Sequence, residues 1–134
     1  MPATQEAVAW LALNQGQDRR QHPRRLLSGA GYLILPDRPV LEIHTLDISL
    51  GGVGAVSPLN LPHELKCELH FTLAREPRGV DILATPVRVT HSILSGREHG
   101  FLLGLQFVNL NGNAAATIAR YMAARSMVLG GGGK

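Results

Sequence analysis

The sequence predicts a mainly β domain, an antiparallel barrel of six strands, closed or nearly closed, carrying one C-terminal α-helix. Three observations predict it. Period-2 alternation dominates the chain, with Cys67, Leu69, Phe71 and Leu73 on one face of a strand and Lys66, Glu68, His70 and Thr72 on the other. Turn signals, Pro36-Asp37-Arg38-Pro39 and Gly51-Gly52 among them, recur every several residues, as short antiparallel strands require. Only the stretch after residue 110 changes to a helical period. The length agrees, since 134 residues with 45% hydrophobic and 17% charged composition suit one folded globular domain.

Residues 1–17 read as an N-terminal extension in which Ala7, Trp10 and Leu11, with Asn14 one step further, are spaced for a short helix. Residues 18–128 form the domain proper, opening with an Arg-rich loop at 18–25. Strands are expected at 32–35, 40–46, 53–56, 66–73, 80–91 and 101–107, so that the barrel ends near residue 108. In the last of them Phe101, Leu103, Leu105 and Phe107 alternate. In the fifth, Pro86 implies an edge, a bulge or a break, because proline cannot donate to a ladder. A helix over about 112–127 follows from Ala115, Ile118, Ala119 and Met122 at i, i+3, i+4 and i+7, with Asn111 or Asn113 as N-cap. Residues 129–134 are Gly-rich and are expected to fray as a flexible tail.

Thirteen basic against ten acidic residues give a net charge of +3. Four of the thirteen, Arg19, Arg20, Arg24 and Arg25, lie within seven positions of one another. Without them the remaining nine fall one short of the acidic residues. The surplus is therefore local, which argues against polymeric nucleic acid as ligand and for one small anionic site. All but Lys66 and Lys134 of the basic residues are arginine, the side chain suited to forked recognition of phosphate or carboxylate.

Other chemistries find little support. Cys67 is the sole cysteine, so neither an intramolecular disulfide nor a cysteine-based zinc site is available, and a reducing cytoplasmic setting fits. The apolar run at residues 7–13 follows Glu6 rather than a basic segment and is too short to span a bilayer, so neither a signal peptide nor membrane insertion is expected. Six histidines (His22, His44, His63, His70, His91 and His99) include no H-x-x-x-H pair, and no metal or other cofactor is expected. Ser28-Gly29 has no evident base and acid partners. The protein is read as a non-enzyme.

Two segments carry the functional signal. In Asp18-Arg19-Arg20-Gln21-His22-Pro23-Arg24-Arg25, Pro23 disfavours a continuous helix, leaving an irregular approach to the first strand. Guanidinium groups held there could grip phosphates, read the O6/N7 edge of guanine or stack on a purine. With this arginine content an R-x-x-x-R occurs about once by chance, so a solvated basic turn competes with the functional reading. The second segment, Asp47-Ile48-Ser49-Leu50-Gly51-Gly52, falls where a strand gives way to a turn. Its pattern D-x-S-x-x-G is expected by chance only about 0.02 times. Asp47 can accept from guanine N1–H and N2–H₂, Ser49 can donate to a phosphate oxygen, and Gly52 allows close backbone approach. The competing reading is a side-chain-closed turn with Gly51 or Gly52 at positive φ.

Together and in this order the two segments resemble the signature of the PilZ family, bacterial domains that bind the second messenger cyclic di-GMP. The family's R-x-x-x-R maps onto Arg20 and Arg24, and its [D/N]-x-[S/A]-x-x-G maps onto Asp47, Ser49 and Gly52, about two dozen residues downstream. Gly104-Leu105-Gln106-Phe107 resembles the family's late strand. The resemblance spans residues 18–125 and implies a six-stranded antiparallel barrel whose mouth the Arg-bearing loop closes over the ligand. It further implies that Arg19 and Arg25 reinforce the clamp, and basic Arg19 is shared with members that take up an intercalated dimer of the nucleotide. Some relatives add a tryptophan from a middle strand. This chain's nearest counterparts lie at 88–90, so Arg88 and Gly104 are candidates for a further wall.

The leading expectation is a cyclic di-GMP receptor and adaptor whose loop orders on the nucleotide. With no room in this length for an output domain, it would signal through an effector protein. The alternatives are a small barrel binding single-stranded nucleic acid, which the 4% aromatic content and the negative remainder of the chain disfavour, and a degenerate family member that mediates only protein contacts.

Overall fold

The computed structural model describes residues 23–132, with side chains to residue 124. Six strands close into an antiparallel barrel: β1 (Arg25–Ile34), β2 (Val40–Ile48), β3 (Gly52–Ser57), β4 (Lys66–Ala74), β5 (Val80–Ser95) and β6 (Gly100–Phe107), followed by α1 (Gly112–Gly132). Around the barrel they run β1-β2-β3-β6-β5-β4, and β4 pairs with β1 to close the ring. Alternation built these strands as expected. Leu69, Phe71 and Leu73 of β4 point inward against Leu33, Ile43, Ile48, Val53, Val87, Val89, Leu103 and Leu105, all buried.

β1 begins at Arg25, seven residues before the expected start at Tyr32, so Arg25 belongs to the strand and not to the loop. The run Ser28-Gly29-Ala30-Gly31 carries no bulky apolar side chains, so an alternating pattern cannot register there even though the backbone pairs with β2. β5 passes through Pro86 without a break. Both polar groups of a strand residue point to the same neighbour, and the Pro86 carbonyl accepts from Val108 N at 2.9 Å, just past the end of β6. The missing N–H therefore falls where the neighbouring strand has stopped, at no cost to the ladder. The irregularity of β5 lies instead at Thr90, between the pairs Val89↔Leu105 and His91↔Gly104.

Asn111 is the N-cap of α1: its Oδ1 accepts from Ala114 N at 2.8 Å and its carbonyl from Ala115 N at 2.9 Å. The stripe that caps the barrel is Ala114, Ile118 and Tyr121, while Ala119 is exposed. Tyr121 draws the stripe to its own side because its ring offers more area than a methyl group. The helical path continues through Gly132, past the expected end near residue 127. Glycine lowers helix propensity by about 1 kcal/mol but keeps the N–H that the helical bond needs. Among the described residues no helix is long and apolar enough to cross a membrane.

Candidate functional site

Two bulges build the site. In β2, Thr45 pairs with Ala55 but Asp47 with Gly54, so two steps along one strand match a single step along its partner. Residues two apart normally share a face, so the extra residue, Leu46, turns Asp47 from the core phase of Ile43 and Thr45 to the outside. In β5 the same device at Thr90 turns His91 out of the core phase of Val87 and Val89. Paired residues share a face, so one outer row runs Asp47, Gly54, Gly104, His91 across four strands, with Gly52, Gln106 and Arg88 forming the next row. The result is a strip of three buried glycines, Gly52, Gly54 and Gly104, flanked by polar side chains.

Arg24, immediately before β1, reaches Asp47: Nη1 donates to Oδ1 at 2.7 Å, and both side chains are only 14% exposed. The same Asp47 oxygen accepts from Gly54 N at 3.1 Å, tying the first motif to the second and to β3. Ser49 closes the turn, its Oγ accepting from Gly51 N at 3.1 Å and Gly52 N at 3.3 Å, while Ser49 N donates to Gly52 O at 2.9 Å. Neither Gly51 nor Gly52 adopts positive φ. Gly52 is needed for close packing of β3 on β6, since a Cβ there would lie 2.1 Å from Leu105 O. Asp47, Ser49 and Gly52 of D-x-S-x-x-G thus each have a defined place in the turn and the strands beside it.

Arg88 faces outward between Glu64 and Gln106, donating to a carboxylate oxygen of the first and the amide oxygen of the second. That contact holds the Glu64 carboxyl below its ordinary value. His91 lies half-buried over the backbone of Gly104, where a Cβ would meet its Cε1 at 2.1 Å. Burial first, and the charge of Arg24 second, push its imidazole below the ordinary 6.5. Arg25 turns away from the strip: its Nη1 donates to Tyr121 O at 2.7 Å and its guanidinium lies 3.6 Å above the Tyr121 ring. Arg19 and Arg20 lie outside the described residues.

The structure therefore brings Arg24, Asp47, Gly52, Arg88 and Gly104 to one outer strip, with Ser49 in the turn at its end and Arg25 directed to α1. His91 and Gly54 complete the strip and were missed in the sequence. Period-2 counting places His91 in line with Val87 and Val89, and nothing local announces the bulge. Away from the strip, His44 Nε2 lies 3.3 Å from Ser28 Oγ, a partner not evident in the sequence. Both groups are exposed, as expected of a cross-strand surface pair. Among the described residues no group of three or more His, Cys, Asp or Glu could hold a metal ion.

Residues 18–124 match the PilZ domain family. The chain belongs to that family. Solved structures share the fold of this PilZ domain at low identity. The Bacillus subtilis inhibitor of motility MotI/DgrA is 16% identical with a TM-score of 0.71, covering 81% of this chain and 52% of its own. The PilZ domain of Escherichia coli YcgR, solved with c-di-GMP, is 15% identical with a TM-score of 0.62, covering 87% of this chain and 98% of its own. PlzA of Borreliella burgdorferi, in complex with c-di-GMP, is 16% identical with a TM-score of 0.56 over 84% of this chain and 45% of its own. This PilZ domain thus spans about half the length of MotI/DgrA and nearly all of the YcgR domain. No curated protein matches the sequence.

Proposed function

We propose that this PilZ domain is a cyclic di-GMP receptor that binds the nucleotide at the outer strip beside Arg24 and Asp47. The observation that carries the reading is the Arg24–Asp47 pair, which joins the two sequence motifs at 2.7 Å beside the glycines of the strip. The carboxylate and guanidinium at the edge of the strip suit guanine and phosphate respectively. Arg20 and Arg24 clamp the ligand, Arg19 reinforces them, and Asp47, Ser49 and Gly52 form the barrel-side wall, with Arg88 and Gly104 beyond. The c-di-GMP bound by the YcgR domain and by PlzA supports the choice of ligand. A basic residue at position 19 favours an intercalated dimer of the nucleotide.

Around the strip Arg24 is offset by Asp47 and Arg88 by Glu64, so the net attraction for an anion comes from Arg19 and Arg20 as they order on it. Binding, not catalysis, is the activity, and the ordered loop passes the signal to an effector protein. Arg25 supports that route, since it directly follows Arg24 and is attached to Tyr121 of α1.

Calorimetric titration with cyclic di-GMP tests the reading. Loss of a charged hydrogen bond costs about 1.5–3 kcal/mol, so Arg20→Ala or Arg24→Ala should each weaken binding about 10- to 150-fold, with the fold retained. Equal affinity in wild type and both variants would refute the site. The stoichiometry of the same titration separates one nucleotide from two.

A further inference from the structure

We propose that His91 is a ligand-binding residue of this strip, taking up a proton when cyclic di-GMP binds and donating it to a phosphate oxygen. The inference rests on the receptor reading above and extends it to a residue outside both sequence motifs. Its first support is the bulge at Thr90. Without that extra residue His91 would point into the barrel after Val87 and Val89; with it, the imidazole stands in one row with Gly104, Gly54 and Asp47. Bulges of this kind re-aim side chains beside functional sites, and here two of them, at Leu46 and Thr90, deliver the two polar ends of the same row.

The second support is Gly104, which makes room for the ring: a Cβ would lie 2.1 Å from His91 Cε1 and 2.6 Å from Nδ1. The third is the proton arrangement. Thr90 Oγ1 donates its single hydrogen to Gly104 O at 3.1 Å, so its 3.2 Å contact with His91 Nδ1 is made with the ring nitrogen as donor. In that arrangement the neutral ring carries its proton on Nδ1.

The charged groups around the ring set the direction of the coupling. Arg24 before β1 opposes protonation, as does burial. Asp47 of β2 stands at the far end of the row and is engaged by Arg24. Among the described residues, Arg88 on β5 itself is offset by Glu64 from the connection before β4, while β3 and β6 contribute Gly54, Gly104 and the neutral Gln106 to the two rows. A phosphodiester arriving against Arg24 neutralises the cation that disfavours the imidazolium and adds an anion that favours it. The diester stays ionised throughout, so the proton gained on binding belongs to the protein.

Calorimetry of cyclic di-GMP binding near pH 6.5, in two buffers of different ionisation enthalpy, reads the proton uptake directly. Wild type should take up a fraction of a proton per site and bind several-fold more weakly at about pH 8 than at about pH 6. His91→Gln should show neither effect. Imidazole NMR titration of the wild-type protein with and without nucleotide, which needs no variant, should show the His91 midpoint rise on binding. Binding without proton uptake, uptake unchanged in His91→Gln, or an unmoved His91 midpoint would overturn this inference and leave the receptor reading intact. Absence of binding at every pH would overturn both.

Discussion

Gly52 has two possible reasons to be glycine, and the structure supplies one of them in full. With Leu105 O only 2.1 Å from where a Cβ would sit, Gly52→Ala forces β3 away from β6 before any ligand is considered. Such overpacking costs about 1–3 kcal/mol or more, which urea denaturation of the ligand-free protein should register. His91 gives a pH signature of its own. Because the folded state holds its pKa below the ordinary 6.5, the unfolded chain binds more protons in the window just beneath that value. Stability should therefore rise with pH across the window and reach its full value above it, falling again on acidification. In His91→Gln this dependence should flatten, as denaturation midpoints on both sides of pH 6.5 would reveal.

Strands that alternate strongly were legible, and β4 and β6 appear where Cys67 to Leu73 and Phe101 to Phe107 placed them. β1 was only half legible, since Ser28-Gly29-Ala30-Gly31 pairs through its backbone while offering no side-chain period to read. The bulges were not legible at all. An extra residue in one strand is defined by its partner strand, so Leu46 and Thr90 look like ordinary members of their runs. At the other end of the chain the cap of α1 was narrowed to two asparagines, and geometry chose Asn111, whose Oδ1 meets Ala114 N at 2.8 Å. Asn111→Ala should cost about 1 kcal/mol, measurable by thermal denaturation, whereas Asn113→Ala should cost much less.

Across the whole domain the outer strip and the helix are joined through adjacent arginines. Arg24 holds Asp47 on the barrel wall, and Arg25 holds Tyr121 on α1 by a 2.7 Å hydrogen bond and a ring contact. Arg25→Met keeps the stem and removes both contacts, at an expected cost of about 1–3 kcal/mol to helix docking. Hydrogen exchange should show faster opening of α1 with β2–β3 protection unchanged, and equal protection of α1 in both proteins would contradict the link.

The sequence by itself determined the barrel, the helix and the two motifs, because alternation, turn residues and rare spacings are properties of neighbours along the chain. Only the tertiary structure decided which side chains share the strip. That depends on register across four strands, where a single extra residue moves a side chain from the core to the surface, and it is how His91 comes to stand in the same row as Asp47.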